Sequence, residues 1–225
     1  MPNVKIDKLI RSKRKTMTLI IDDKSNIIVR APLRISQKEI NSFVDNNHTW
    51  ILKKKEQIQN KIKNKKEISY KNGSTFLYNG KEFELVITFD TKYALRFNGI
   101  NFIMHPNYIG LAQKVFEQWY IRAAYKIISQ RAMFYSQKHN LKFNKVRISN
   151  AMKRWGSCSS TGNINFSWRL VMAPREVIDY VVVHELAHLI QMNHSKRFWK
   201  IVEKILPSYK VYKMWLKNNE HLLDL

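Results

Sequence analysis

Residues 184–194 read His184-Glu185-Leu186-Ala187-His188-Leu189-Ile190-Gln191-Met192-Asn193-His194. A His-Glu-x-x-His pair is followed, after five intervening residues, by a third histidine. On an α-helix, positions i and i+4 lie on one face a turn apart, so His184 and His188 can point at one metal ion. Glu185 then flanks that face, where a carboxylate can take a proton from a water activated by the ion. Three neutral imidazoles and one water make the open tetrahedral site of a catalytic zinc, not the closed site of a structural one. The stretch therefore predicts a zinc-dependent hydrolase, a peptidase foremost, with one Zn2+ per chain.

The bare motif carries limited weight. With 7 histidines and 10 glutamates in 225 residues, chance supplies about one accidental match per hundred such chains. Its surroundings add to it. Val177-Ile178-Asp179-Tyr180-Val181-Val182-Val183 is apolar enough for a buried helix, and Pro174 suits a first helical turn. Metal ligands need such rigid support. Asn193 is a plausible terminator, turning the chain so that His194 folds back on the site. The bland alternative is a pair of histidines and a glutamate on an ordinary polar helix face.

Composition narrows the class. At 44% hydrophobic and 12% aromatic residues, the chain has the makings of one sizeable core or two small subdomains. No run approaches eighteen apolar residues, and Met1–Asp7 lacks the apolar region of a signal peptide. The single Cys158 excludes an internal disulfide framework, so a cytoplasmic protein without membrane association is expected. The formal charge of +23 is spread along the chain: residues 1–71 hold 18 Lys/Arg against 7 Asp/Glu, and residues 72–225 hold 22 against 10. Lys53–Lys66 concentrates it, with seven lysines against Glu56. Such a surface attracts nucleic acid through phosphate neutralisation, although a merely solvated basic surface is the simpler reading.

Along the chain, Thr16–Ile21 and Asn26–Ala31 read as a β-hairpin ending at Pro32. Ser36-Gln37-Lys38-Glu39 has capping-box spacing and opens a helix expected over Ser36–Lys66, with Ile40, Phe43, Val44, Trp50, Ile51 and Ile58 as its apolar stripe. Strands follow at Phe76–Tyr78, Phe83–Phe89 and the hairpin Tyr93–Met104, turned at Asn98-Gly99. A helix over Ile109–Lys138 presents Leu111, Val115, Trp119, Ala123 and Ile127. Strands at Lys145–Ser149 and Asn163–Leu170 flank the segment Met152–Ser160, and helices are expected at Arg175–Met192, Ser195–Leu206 and Tyr209–Asn219. Strands mixed with helices without βαβ alternation indicate α+β. The expected division is a β-rich N-terminal part over 1–106, carrying the long basic helix, and a catalytic domain over 107–225.

Arg154-Trp155-Gly156-Ser157-Cys158, the His-Glu-x-x-His run, Asn193-His194-Ser195 and Phe198-Trp199 form a combination that resembles the YgjP-like metallopeptidase family. These are small zincins similar to the SprT-like peptidases. The likeness extends to Pro207-Ser208-Tyr209 and, near the N-terminus, to Arg11–Lys15, Arg30-Ala31-Pro32 and Trp50-Ile51, so it covers nearly the whole chain. It implies a zincin-like fold, a peptide or protein substrate, His184, His188 and His194 as zinc ligands and Glu185 as general base.

The remaining candidates keep two readings each. Trp155-Gly156-Ser157 lies on or beside a strand, where it either lines a substrate held as an added strand or packs as core and bulge. Arg154 either stabilises the oxyanion of the attacked carbonyl or pairs with a carboxylate, and Tyr209 is a second oxyanion candidate. Phe198 and Trp199 read as anchors for His194. Cys158 is a packed thiol, a redox-sensitive group or a soft metal ligand. His48, His105, His139 and His221 have no companions at ligand spacing. Two rivals stand beside the peptidase: a nucleic-acid-associated basic protein, with the metal site structural or directed at DNA-bound proteins, and a hydrolase of non-peptide amides.

Overall fold

Asp22 sits in the turn between two strands and accepts hydrogen bonds from the Lys24 and Asn26 backbone N–H groups. Those strands are β2 (Thr18–Ile21) and β3 (Ile27–Pro32), the expected antiparallel hairpin. A strand that the sequence reading lacked, β1 (Lys8–Ser12), adds in parallel to the far edge of β3. Its charged, five-residue sequence has no local partner to announce it, because a parallel pairing is non-local. The computed structural model describes residues 4–22, 24–63 and 68–225.

The capping box forms: the Glu39 N–H donates to Ser36 Oγ at 3.2 Å, and the Ser36 N–H donates to Glu39 Oε2 at 3.0 Å. The single long helix expected from Ser36 is instead two helices, α1 (Gln37–Asn46) and α2 (His48–Lys63). Asn47 interrupts them, its side-chain amide donating to the Phe43 carbonyl at 2.8 Å and so competing with the helical ladder. Ile27, Val29 and Ala31 of one sheet face pack with Ile40, Val44 and Ile51 in a small core. Trp50 does not join that stripe; it is 44% exposed. The helix extension to Lys66 and the Lys61–Lys66 side chains lie outside the described residues.

Ile68 begins the second compact unit, so the chain divides at residues 67 and 68, not near 106. This unit carries β4 (Thr75–Tyr78), β5 (Lys81–Ile87), β6 (Leu95–Phe97) and β7 (Phe102–Met104), in the order β4-β5-β7-β6. Phe76 of the sheet stacks on Phe116 of α3 (Ala112–His139) with centroids 4.0 Å apart, and Phe102 packs against the same ring at a tilt. That shared core is why the sheet belongs with α3 and not with the N-terminal unit. The buried row of α3 is Ala112, Phe116, Tyr120, Ala124, Ile128 and Ala132, one position later than expected. Both rows are apolar, but the three alanines let neighbours approach closely while Leu111 is left exposed.

The β4–β5 turn, Asn79-Gly80, docks on the start of the next key helix. Both residues have positive φ, and their N–H groups donate to Val171 and Met172 carbonyls at 2.9 Å. A Cβ on Gly80 would lie 2.7 Å from Pro174 Cγ, so glycine is required on two grounds. After Pro174 comes α4 (Arg175–Ala187), with Val177, Ile178, Val181, Val182, Val183, Leu186 and Ala187 all buried. It ends five residues before the expected Met192. Arg131 of α3 forms a bidentate ion pair with Asp179 of α4, its Nη2 donating at 2.8 Å, and both side chains are largely shielded. Asp179→Ala should therefore destabilise this unit by about 3 kcal/mol, since it strands a buried guanidinium; urea unfolding checks this.

A second sheet pairs β8 (Lys145–Ser149) in parallel with β10 (Asn163–Ser167), and β9 (Gly156–Cys158) antiparallel to β10, in the order β8-β10-β9. The β10 strand stops at Ser167 because Trp168–Met172 turn into a 3-10 segment. Helices α5 (Lys196–Ile205) and α6 (Tyr209–Asn219) complete a mixed α+β architecture. Among the described residues no helix is long and apolar enough to cross a membrane.

Candidate metal centre

His184 lies in the last turn of α4 and His188 at its C-cap, so the i and i+4 geometry survives although the helix ends there. The chain then turns through Gln191 and Asn193 and returns His194 to the same point. One nitrogen from each ring falls within a 4.8 Å cluster, the group of metal-capable side chains found among the described residues. The Nε2 atoms of His184 and His194 are 2.9 Å apart. Two imidazole lone pairs at that distance repel unless a proton or a cation lies between them. His188 Nδ1 lies 3.1 Å from the Gln191 carbonyl, which accepts the Nδ1–H hydrogen bond, fixes that tautomer and leaves Nε2 free to ligate.

Electrostatics favour the same reading. Burial, reinforced by the neighbouring His188, His194 and Lys213, pushes His184 down to about 3, so its ring is neutral at pH 7. Burial likewise lowers His194. Burial pushes the Glu185 carboxyl up to about 8, with Arg154 opposing the shift. Glu185 Oε2 and His184 Nδ1 are buried without hydrogen-bond partners among the described residues. Three imidazole nitrogens converging beside an unpartnered carboxylate oxygen fit a divalent cation with an adjacent water. Cys158 does not join the cluster: its half-buried thiol is pushed up to about 11 by burial and by Glu185.

Phe198 anchors the whole cluster and not His194 alone. Its fully buried ring lies 4.9, 4.5 and 4.8 Å from the rings of His184, His188 and His194. Trp199 borders His184 and His194 from the same helix. The Phe198 role had a signal in its position four residues after His194, but its contact with α4 is tertiary and had none.

The segment Trp155-Gly156-Ser157 does lie beside the centre. Gly156 pairs with Phe166 and Ser157 with Asn165, which leaves β9 at the sheet edge. A Cβ on Gly156 would stand 2.5 Å from Glu185 Oε1 and 2.6 Å from its Cγ. Glycine is thus what allows the strand to pass directly over the Glu185 carboxylate. Gly156→Ala should displace that carboxylate and lower kcat/KM at least tenfold with metal content retained, at about 1–3 kcal/mol of stability. Metal analysis beside a thermal melt checks both parts. Trp155 is half-buried, and its carbonyl accepts from the Ser167 N–H at 2.9 Å.

Arg154 is exposed and lines a cavity of about 220 Å3 with Ser149, Gly156, Ser157, Asn165 and Ser167. It has no carboxylate partner among the described residues. Tyr209 is buried, stacked on Trp199 at 5.4 Å and on Tyr180 at 6.5 Å. Its ring thus backs the wall around His184.

The sequence profile of the YgjP-like metallopeptidase domain matches residues 15–219. The chain belongs to the YgjP-like metallopeptidase family. That membership implies a metal ion and a peptide or protein substrate for this YgjP-like chain. Among solved structures it is similar to the metallopeptidase zymogen abylysin of Pyrococcus abyssi, at 23% identity over 40% of this chain and 93% of that one, with a TM-score of 0.37. No curated protein matches it.

Proposed function

We propose that this YgjP-like chain is a zinc-dependent peptidase in which His184, His188 and His194 hold one Zn2+ and Glu185 is the general base. The observation that carries the reading is the convergence of three imidazole nitrogens beside a buried carboxylate with an unpartnered oxygen. Bound zinc would supply a Lewis acid that polarises the scissile carbonyl and brings the pKa of water toward about 7. Glu185 takes the proton of the attacking water and returns it to the leaving amine. Trp155, Gly156 and Ser157, on and just before the β9 edge, offer main-chain groups to a substrate laid alongside as an added strand. Arg154, exposed and without an ion pair among the described residues, is the better oxyanion stabiliser, because Tyr209 is buried and its ring is stacked on Trp199.

Elemental analysis of tag-free protein tests the reading first. About one zinc per chain, together with cleavage of unfolded proteins that a chelator stops, is the expected result. Protein that stays metal-free when zinc is supplied would overturn it. Cleavage of small amides but not of peptides would favour the non-peptide hydrolase.

A second reading adds nucleic acid as a partner, motivated by the basic N-terminal unit. Asp7 and Glu39 of that unit are engaged in backbone hydrogen bonds, with Ile27 and Ser36 respectively. Filter binding over a salt series should show affinity falling steeply between 50 and 200 mM salt, by about tenfold or more if several phosphates are neutralised. Absence of binding at low salt would remove this partner. We assign the chain to the cytoplasm, where a single unpaired Cys158 stays reduced.

A further inference from the structure

Helix α6 brings a cation to the metal centre that the chemistry above does not use. Tyr209, its first residue, stacks its ring on Trp199 at 16°. Lys213 lies four residues later, on the same face of the helix. Its Nζ sits 4.0 Å from the Trp199 ring centroid. The Trp199 ring in turn lies 5.7 Å from His184 and 5.9 Å from His194. The ammonium is therefore at most about 10 Å from either imidazole, a distance spanned by roughly three residues of extended peptide.

Two observations separate Lys213 from an ordinary surface lysine. Lys210, one turn earlier on α6, lies over Tyr209 and is paired with Glu203 at 3.4 Å. Lys213 is exposed and has no carboxylate partner among the described residues. The contact with the Trp199 face also holds its charge in one place, where a free lysine would sweep through solvent. Arg154 is its counterpart on the Glu185 side, also exposed and also unpaired. The centre is thus flanked by two exposed cations with no ion pair among the described residues.

Resting on the peptidase reading, we propose that Lys213 is a substrate-binding residue that takes a substrate carboxylate within about three residues of the scissile bond. The carboxylate belongs either to an Asp or Glu side chain or to the free C-terminus, and both fit one ammonium seated on an indole. The preference is for acidic peptides, in keeping with a chain of net charge +23.

The experiment uses full-length, zinc-loaded Glu185→Gln protein and fluorescein-labelled Gly/Ala octapeptides. Each peptide carries Glu, Gln or Lys at one position, with a free or an amidated C-terminus. Fluorescence anisotropy should show Glu or the free carboxylate bound about five- to tenfold more tightly than its neutral counterpart. Adding Lys213→Gln should abolish that ratio, and adding Lys213→Glu should reverse it in favour of Lys peptides. Lys210→Gln, one turn away, should leave it intact, which separates a placed contact from the general positive field. A Glu-over-Gln ratio that survives amidation identifies a side-chain carboxylate; a ratio seen only between free and amidated peptides identifies the terminus. In turnover, Lys213→Gln should raise KM for the preferred peptide about five- to tenfold and leave kcat within twofold.

Equal binding of acidic and neutral peptides, or an unchanged ratio in Lys213→Glu, overturns the proposal. Failure of the peptidase reading looks different: wild type would turn over no peptide, while the Lys213-dependent ratio in binding would persist.

Discussion

Glu185→Gln should keep about one zinc per chain and lose on the order of 10²–10⁴ in kcat, the range expected when a positioned proton acceptor is removed. Glutamine has the shape of glutamate, so it can stay packed between α4 and the Gly156 backbone, where a Cβ would not fit. The change removes only the ability to take a proton. Glu185 is 4% exposed, and one of its oxygens has no hydrogen-bond partner among the described residues. That arrangement is costly for folding unless the oxygen has a partner during function. Structure should therefore tolerate the substitution, and Tm should be equal or higher. The measurement is zinc content, thermal melting and peptide turnover on one preparation. Activity above a tenth of wild type, with contaminating peptidases excluded, would remove Glu185 from the role of base. Parallel loss of zinc would show instead that its carboxylate helps to hold the metal.

Why the three clustered histidines were legible and much of their support was not follows from the range of each signal. His184 and His188 need only helical periodicity, and His194 needs only a terminator close behind. All of that lies within eleven residues. The capping box of α1 and the Asn98-Gly99 turn are equally local, and both formed. The failures are non-local. Strand β1 is made by a parallel partner some twenty residues away, and the α3 stripe is set by which row its neighbours can approach. Asn47 is polar in either reading, so only its bond to the Phe43 carbonyl reveals the break between α1 and α2. At the site, the sequence places Gly156 only on or beside a strand; that it passes over the Glu185 carboxylate emerges only when β9 is laid over α4. Phe198, the Gln191 carbonyl and Lys213 act through contacts between separate elements, and no spacing encodes them.

His194→Ala should be the sharpest test of the site as a three-histidine centre. His194 is exposed and comes from the loop before α5, whereas His188 is buried within the Phe198 contacts. Its removal therefore costs the apo fold little and isolates the effect on the metal. Loss of an outer partner to a metal ligand typically weakens binding 10–100-fold, so losing a ligand itself should weaken zinc by more than about 100-fold. The second readout is stability. Zinc at a hundred times its dissociation constant stabilises the wild type by about 2.7 kcal/mol. For a unit of this size that is a rise in Tm of roughly 5–10 °C, reversed by a chelator. In His194→Ala the same zinc concentration should give almost no rise, while the metal-free melts of the two proteins nearly coincide. A variant that keeps one zinc at wild-type affinity would place the third ligand elsewhere. The 2.9 Å approach of His194 to His184 would then be a hydrogen bond between two imidazoles, one of them carrying a proton. That outcome would leave a two-histidine site, and Glu185, a buried carboxylate with an unpartnered oxygen, would become the leading candidate for the missing ligand.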